Sequence, residues 1–190
     1  MKRIGLLLGL TVLLVGCSTE GEVSEDGVDR NDAVEVTMTM ETGGEVEMHL
    51  YPNNAPETVD NFVSLIEDGF YDGLTFHRIV PGFMVQGGDP DGTGMGGSPE
   101  TITGEFASNE FENPLDHQEG VLSMARVQGD PNSASSQFFI MLGEHASLDG
   151  DYAAFGEVVD GMDVVEEIAQ SETTGEMAVD PPVIASMEVN

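Results

Sequence analysis

The residues most able to do chemistry lie between Phe76 and Asp89, a stretch that reads FHRIVPGFMVQGGD. Arg78 stands there among Phe, Ile, Val and Met, on a segment whose pattern predicts a strand. An unpaired buried guanidinium is expensive, so such a cation either pairs with a carboxylate or serves a site. Charges kept in apolar clefts concentrate at functional sites, which favours the second reading. Ser136-Gln137-Phe138-Phe139-Ile140 adds aromatic faces and an amide at strand spacing, though alone it reads as core. Rival chemistry fares worse. Asp89, Asp91, Thr93, Gly94 and Glu100 resemble a calcium loop, but Thr93 stands where Asp or Asn is usual and Pro90 intrudes. The Gly-rich run lacks the Gly-Lys-Ser/Thr of a phosphate loop, and Gly96–Glu100 lacks the last glycine of a nucleophile elbow. His117 and His145 fall in loop-like stretches without metal-ligand spacing, where solvent exposure is expected. No metal and no cofactor is expected.

These groups need a scaffold, and the hydrophobic periods supply one. Val34, Val36, Met38 and Met40 alternate with polar residues, and Val46, Met48 and Leu50 repeat the alternation after Thr42-Gly43-Gly44-Glu45, predicting a hairpin. Pro56 opens a helix and Gly69 follows it; Val59, Phe62, Val63 and Ile66 form its apolar stripe. Short strands are predicted over 75–80, 121–126, 137–142, 155–159 and 183–189, with a second helix over 163–170. Many short strands, two helices and Gly-rich turns point to an antiparallel barrel or sandwich.

Composition and address narrow the class. The chain has 190 residues, 36 Asp+Glu against five Lys+Arg, and a formal charge of −31. So negative a surface excludes ordinary nucleic-acid binding, which depends on cations that neutralise phosphates. Its single cysteine excludes an internal disulfide framework. Lys2 and Arg3 precede an apolar run from Ile4 to Gly16, too short to span a bilayer comfortably and suited to a signal peptide over 1–16. Leu14-Val15-Gly16-Cys17 resembles a lipobox, which implies cleavage and acylation at Cys17 and an extracytoplasmic, membrane-anchored protein. Residues 17–32 read as an acidic flexible tether and 33–190 as the domain. After cleavage only Arg30, Arg78 and Arg126 remain as cations, a balance suited to a salty medium.

FHRIVPGFMVQGGDPDGTGMGG, SMARVQGDPNSASSQFFIML and LDGDYAAFGEVVDGMDVV, together with APETVDNF on the first helix, resemble the cyclophilin family of peptidyl-prolyl isomerases. The form DPNSASSQFF is similar to the prokaryotic branch. The resemblance implies a mainly β fold, a closed eight-stranded antiparallel barrel capped by two helices. It also implies that Arg78 is the catalytic arginine. By the same resemblance Phe83, Met84, Phe139 and Leu148 form a proline pocket, Gln86 and Gln137 its polar rim, and Ala125 and Arg126 the strand that aligns substrate. His77 and Tyr152 match further positions at the site. Ser147 departs from the family, which carries an aromatic residue there. The expected partners are proline-containing exported polypeptides, with the chain itself a monomer. A binding module with little turnover is the alternative.

Overall fold

The computed structural model describes residues 25–190, so the signal peptide, Cys17 and the first part of the tether lie outside the described residues. Ten antiparallel strands and two helices make up the fold. They are β1 (Val34–Met40), β2 (Glu45–Leu50), α1 (Pro56–Glu67), β3 (Arg78–Val80), β4 (Met84–Gly87), β5 (Val121–Met124), β6 (Phe138–Met141), β7 (Ala154–Asp160), α2 (Met162–Ala169), β8 (Thr173–Thr174), β9 (Met177–Ala178) and β10 (Ile184–Val189). They form one ladder in the order β10-β1-β2-β7-β5-β6-β4-β3-β9-β8. Eight strands thus have three residues or more, and a two-residue hairpin is added at one edge. The chain at the start of β10 meets the chain leading into β3 through backbone hydrogen bonds: Phe76 N–H donates to the Pro182 carbonyl at 2.9 Å, and Ile184 N–H to the Leu74 carbonyl at 2.9 Å. This is the barrel-like, helix-capped β fold that the resemblance implies.

The hairpin, both helices and β10 lie where periodicity places them. Strands expected over 75–80 and 121–126 are shorter, and β4, β8 and β9 were not foreseen from periodicity. The reason is visible in burial. Strands β5 and β6 are covered on both faces, so their sequences VLSM and FFIM are buried throughout and lack polar alternation. Their side chains still alternate. Leu122, Met124, Phe138 and Ile140 enter a large core with α1 and α2, while Val121, Phe139 and Met141 enter a smaller cluster on the opposite face. That smaller cluster holds Met84 and backs the Arg78 region.

Helix α1 carries Pro56 in its first turn but no capping side chain of its own. Glu105, only 3 % exposed, takes that role from another part of the chain. Its two carboxylate oxygens accept the backbone N–H groups of Glu57 and Thr58 at 3.0 and 2.8 Å. A negative charge at this end also suits the helix dipole. Glu105→Gln keeps the shape but loses one acceptor, and is expected to cost about 1–2 kcal/mol. An unchanged urea midpoint would reject this capping role. At α2, Gly161 has φ +85°, and a Cβ there would lie 2.3 Å from the Glu45 carbonyl oxygen, so glycine is required.

The end of the expected tether is not loose. Val28 is 1 % exposed and belongs to the smaller cluster with Tyr51, Leu115 and Val121. Asp29 and Asn54 exchange hydrogen bonds of 3.1 and 2.7 Å. Arg30 pairs with Glu157 at 3.2 Å, and its guanidinium lies 5.6 Å from the Tyr51 ring centre. The packed unit therefore begins before residue 33. One apolar side chain among acidic neighbours was too little pattern to reveal this.

Candidate functional site

Strands β3, β4, β5 and β6 bring the expected residues to one cleft. Arg78 pairs with Gln86 across β3 and β4, and Gln86 with Phe139 across β4 and β6. The cleft has a volume of about 350 Å³. Phe83, Met84, Phe139 and Leu148 provide its apolar walls; His77, Arg78, Gln86, Ala125, Arg126 and Tyr152 also face it. Gln137 lies beside it, in an adjoining cavity of about 310 Å³. Ser147 is exposed. Thr93 and Gly94, from the Gly-rich stretch weighed above as a calcium loop, line the cleft as well, and so does Met177, which no motif singled out.

Arg78 is held at the rim by a hydrogen-bonded relay. Its Nε donates to Glu176 at 2.7 Å, and its Nη1 to the Gln86 side-chain oxygen at 2.9 Å. Gln86 Nε2 donates to Gln137 Oε1 at 2.8 Å, and Gln137 Nε2 to the Gly96 carbonyl at 2.8 Å. Each amide both accepts and donates, which fixes its orientation and hence that of the guanidinium. Glu176 sits in the turn between β8 and β9, a partner 98 residues away that the sequence did not disclose. The relay's support is tight: Gly88 has φ +82°, and a Cβ there would lie 2.4 Å from the Ser136 carbonyl oxygen. Asp89 is 1 % exposed and accepts the N–H groups of Asp91, Thr93 and Gly94 at 2.6–2.9 Å. Burial opposes its charge, but these backbone donors prevail and hold the carboxyl below the usual range. That carboxylate organises the Gly-rich loop that forms one side of the cleft.

Two histidines are buried, His77 in the cleft lining and His117 behind Phe139. His77 is 2 % exposed, and neither ring nitrogen has a hydrogen-bond partner among the described residues. Burial lowers its pKa against the pull of Asp89. His117, expected in solvent, is 1 % exposed and stacks on Phe139 with ring centres 6.1 Å apart. Its Nδ1 lies 2.9 Å from Asp149 Oδ1 and its Nε2 3.0 Å from Ser123 Oγ. A carboxylate only accepts, so Nδ1 carries the proton and neutral Nε2 accepts from the serine. Ser123, His117 and Asp149 have the order of a nucleophilic triad. Ser123 is fully buried, however, and no substrate carbonyl reaches it.

Burial also lowers the His117 pKa, outweighing Asp149 and Asp116, which pull it up. Both histidines are therefore neutral when folded, yet take up protons below about pH 6.5 when unfolded. The unfolded chain then binds more protons, so stability falls as pH drops below about 6.5 and levels off below the folded pKa values. The urea midpoint should fall between pH 7.5 and 5.5, and His117→Gln should flatten that slope. A slope indifferent to the substitution would exclude His117 as a source.

A family model for cyclophilin-type peptidyl-prolyl cis-trans isomerases matches residues 36–189. The chain belongs to the cyclophilin-type peptidyl-prolyl cis-trans isomerases. Peptidyl-prolyl cis-trans isomerase B of Bacillus subtilis is 43 % identical over 141 residues, 74 % of this chain and 94 % of that protein. Peptidyl-prolyl cis-trans isomerase ppi1 of Schizosaccharomyces pombe is 44 % identical over 126 residues, 66 % of this chain and 79 % of its own. A crystal structure of a cyclophilin-type isomerase from Cryptosporidium parvum, in the presence of the dipeptide Ala-Pro, superposes with a TM-score of 0.75. It is 28 % identical and covers 82 % of this chain and 98 % of its own. Proline isomerisation is thus the cyclophilin activity to be explained by the cleft.

Proposed function

We propose that this cyclophilin accelerates X-Pro rotation in exported polypeptides by using Arg78 to stabilise the twisted amide. Rotation crosses about 18–20 kcal/mol because the amide nitrogen's lone pair is delocalised into the carbonyl. In the twisted transition state that lone pair localises on nitrogen and becomes a better acceptor. A guanidinium donor beside it then stabilises the transition state more than the planar ground state. The observation that carries this reading is the Arg78–Gln86–Gln137–Gly96 relay at the edge of an apolar cleft. With Nε donating to Glu176 and one Nη1 N–H to Gln86, the Nη2 group and the second Nη1 N–H are left as donors for substrate. Phe83, Met84, Phe139 and Leu148 suit a pyrrolidine ring, whose burial fixes the pivot of rotation. The Ala-Pro dipeptide used with the Cryptosporidium parvum relative supports a proline-sized occupant.

Cys17, behind a short apolar leader, supports attachment to the outer face of a membrane, where unfolded exported chains are the available clients. Its acidic surface supports a saline setting. Exchange spectroscopy on an Ala-Pro peptide tests the activity, at low and molar salt. Fast cis-trans exchange is expected at catalytic amounts of protein. Peptide binding without faster exchange, in a folded chain at both salts, would instead make this a proline-segment binding module.

A further inference from the structure

Two of the three arginines among the described residues line the cleft, and their surroundings differ. Arg30 and Arg78 each touch a glutamate, at 3.2 and 2.7 Å. Among the described residues, Arg126 has no carboxylate within 4.0 Å. In a chain with 36 acidic residues, an uncompensated guanidinium is the exception. It is also held in place. Its guanidinium lies 4.6 Å from the Tyr152 ring centre and 5.4 Å from that of Phe106. Its Nε donates to the Asp151 carbonyl at 2.9 Å, and its Nη1 to that of Val127 at 3.3 Å. Carbonyls and aromatic faces orient the group while leaving its formal charge unneutralised.

Arg126 lines both the cleft and the adjoining cavity bounded by Met95, Ser133 and Ser135. A polypeptide with its proline in the cleft and its neighbouring residues in that cavity passes this cation. We infer that Arg126 is a specificity residue, selecting proline segments with Asp or Glu next to the proline. The inference rests on the isomerase reading of the cleft and deepens it. The chain's overall charge works the other way, repelling acidic peptides at long range. That repulsion depends on the peptide's net charge, whereas the contact with Arg126 depends on where the acid sits. Salt weakens both, since the screening length falls from about 10 Å at 0.1 M to about 3 Å at 1 M.

The test uses the full chain and four peptides of one length. One carries Glu immediately before proline, one Glu immediately after, one Gln at both places, and one Glu moved four residues away. The last has the net charge of the first two. Exchange spectroscopy gives kcat/KM, and NMR titration of the same peptides gives Kd. At 0.1 M salt, at least one adjacent-Glu peptide should be favoured about two- to fivefold over both controls, the range of an exposed ion pair. The preference should vanish in Arg126→Gln, survive in part in Arg126→Lys, and shrink at 1 M salt. Equal constants for all four peptides, or a preference that persists in Arg126→Gln, overturn the inference. Uniform acceleration of all four overturns it while leaving the isomerase intact. Tighter binding of an adjacent-Glu peptide without faster exchange in any peptide does the reverse.

Discussion

Replacing Arg78 with alanine should lower kcat/KM for an Ala-Pro peptide by about 10²–10³-fold, with little change in melting temperature. Removing one preorganised donor to a charge that develops in a transition state costs about 3–4 kcal/mol of stabilisation in comparable sites. The folded state loses far less. The Arg78 side chain is 35 % exposed and Glu176 is 57 % exposed, so their pair is worth at most about 1 kcal/mol. On the role proposed for Arg78, the loss should fall mainly on kcat, because the donor would act on the twisted amide while the apolar walls would still hold the ring. Arg78→Lys should recover only a fraction. An ammonium keeps the charge, but lacks the planar fork that reaches Glu176, Gln86 and a substrate together. Exchange spectroscopy on wild type and both variants, with thermal melts alongside, decides the matter. If a folded Arg78→Ala protein turned over peptide at the wild-type rate, catalysis would have to be assigned elsewhere.

Phe138→Ala should be the most damaging single truncation for stability, at about 3–5 kcal/mol. Its ring is fully buried and meets Phe62, Tyr71 and Phe76 at centre distances of 5.2, 5.6 and 5.9 Å, all nearly edge-on. These contacts join α1 to the sheet, so the cavity would open where the two layers meet. In a domain of this size the melting temperature should fall on the order of 10 °C. The neighbouring Phe139→Ala should behave differently. Phe139 faces the cleft from the smaller cluster, so peptide affinity should fall more than stability does. Denaturant midpoints and peptide titrations of the two variants separate the roles. Phe138→Ala costing under 1 kcal/mol would mean that the aromatic cluster is not the keystone of the core.

Much of the fold follows from local pattern. Met38, Met40 and Met48 point inward as alternation requires, and α1 starts at Pro56 as its sequence indicates. The cleft residues could be gathered because three motifs carry them in order along the chain, and strand pairing brings those motifs together. What escaped detection depends on partners distant in sequence. Glu105 caps a helix almost 50 residues earlier, and Glu176 reaches Arg78 from a two-residue hairpin. In a chain with so many carboxylates, nothing local marks which ones are recruited. The same applies to His117, whose burial follows from Phe139 and Asp149 closing over it.

If the chain is attached at Cys17 as proposed, the docked segment around Val28 would set the length of its leash. On the proposed attachment at Cys17, a domain free from residue 33 onward could stray about 55 Å from its lipid at full extension. Fastening the chain at Val28 shortens that limit to about 38 Å. Accessible volume scales with the cube of reach, so the cleft would sweep about a third of the space. Its effective concentration at the membrane surface would rise in proportion. A chain emerging through that membrane would meet this enzyme as a close neighbour, before it could diffuse away or begin to aggregate.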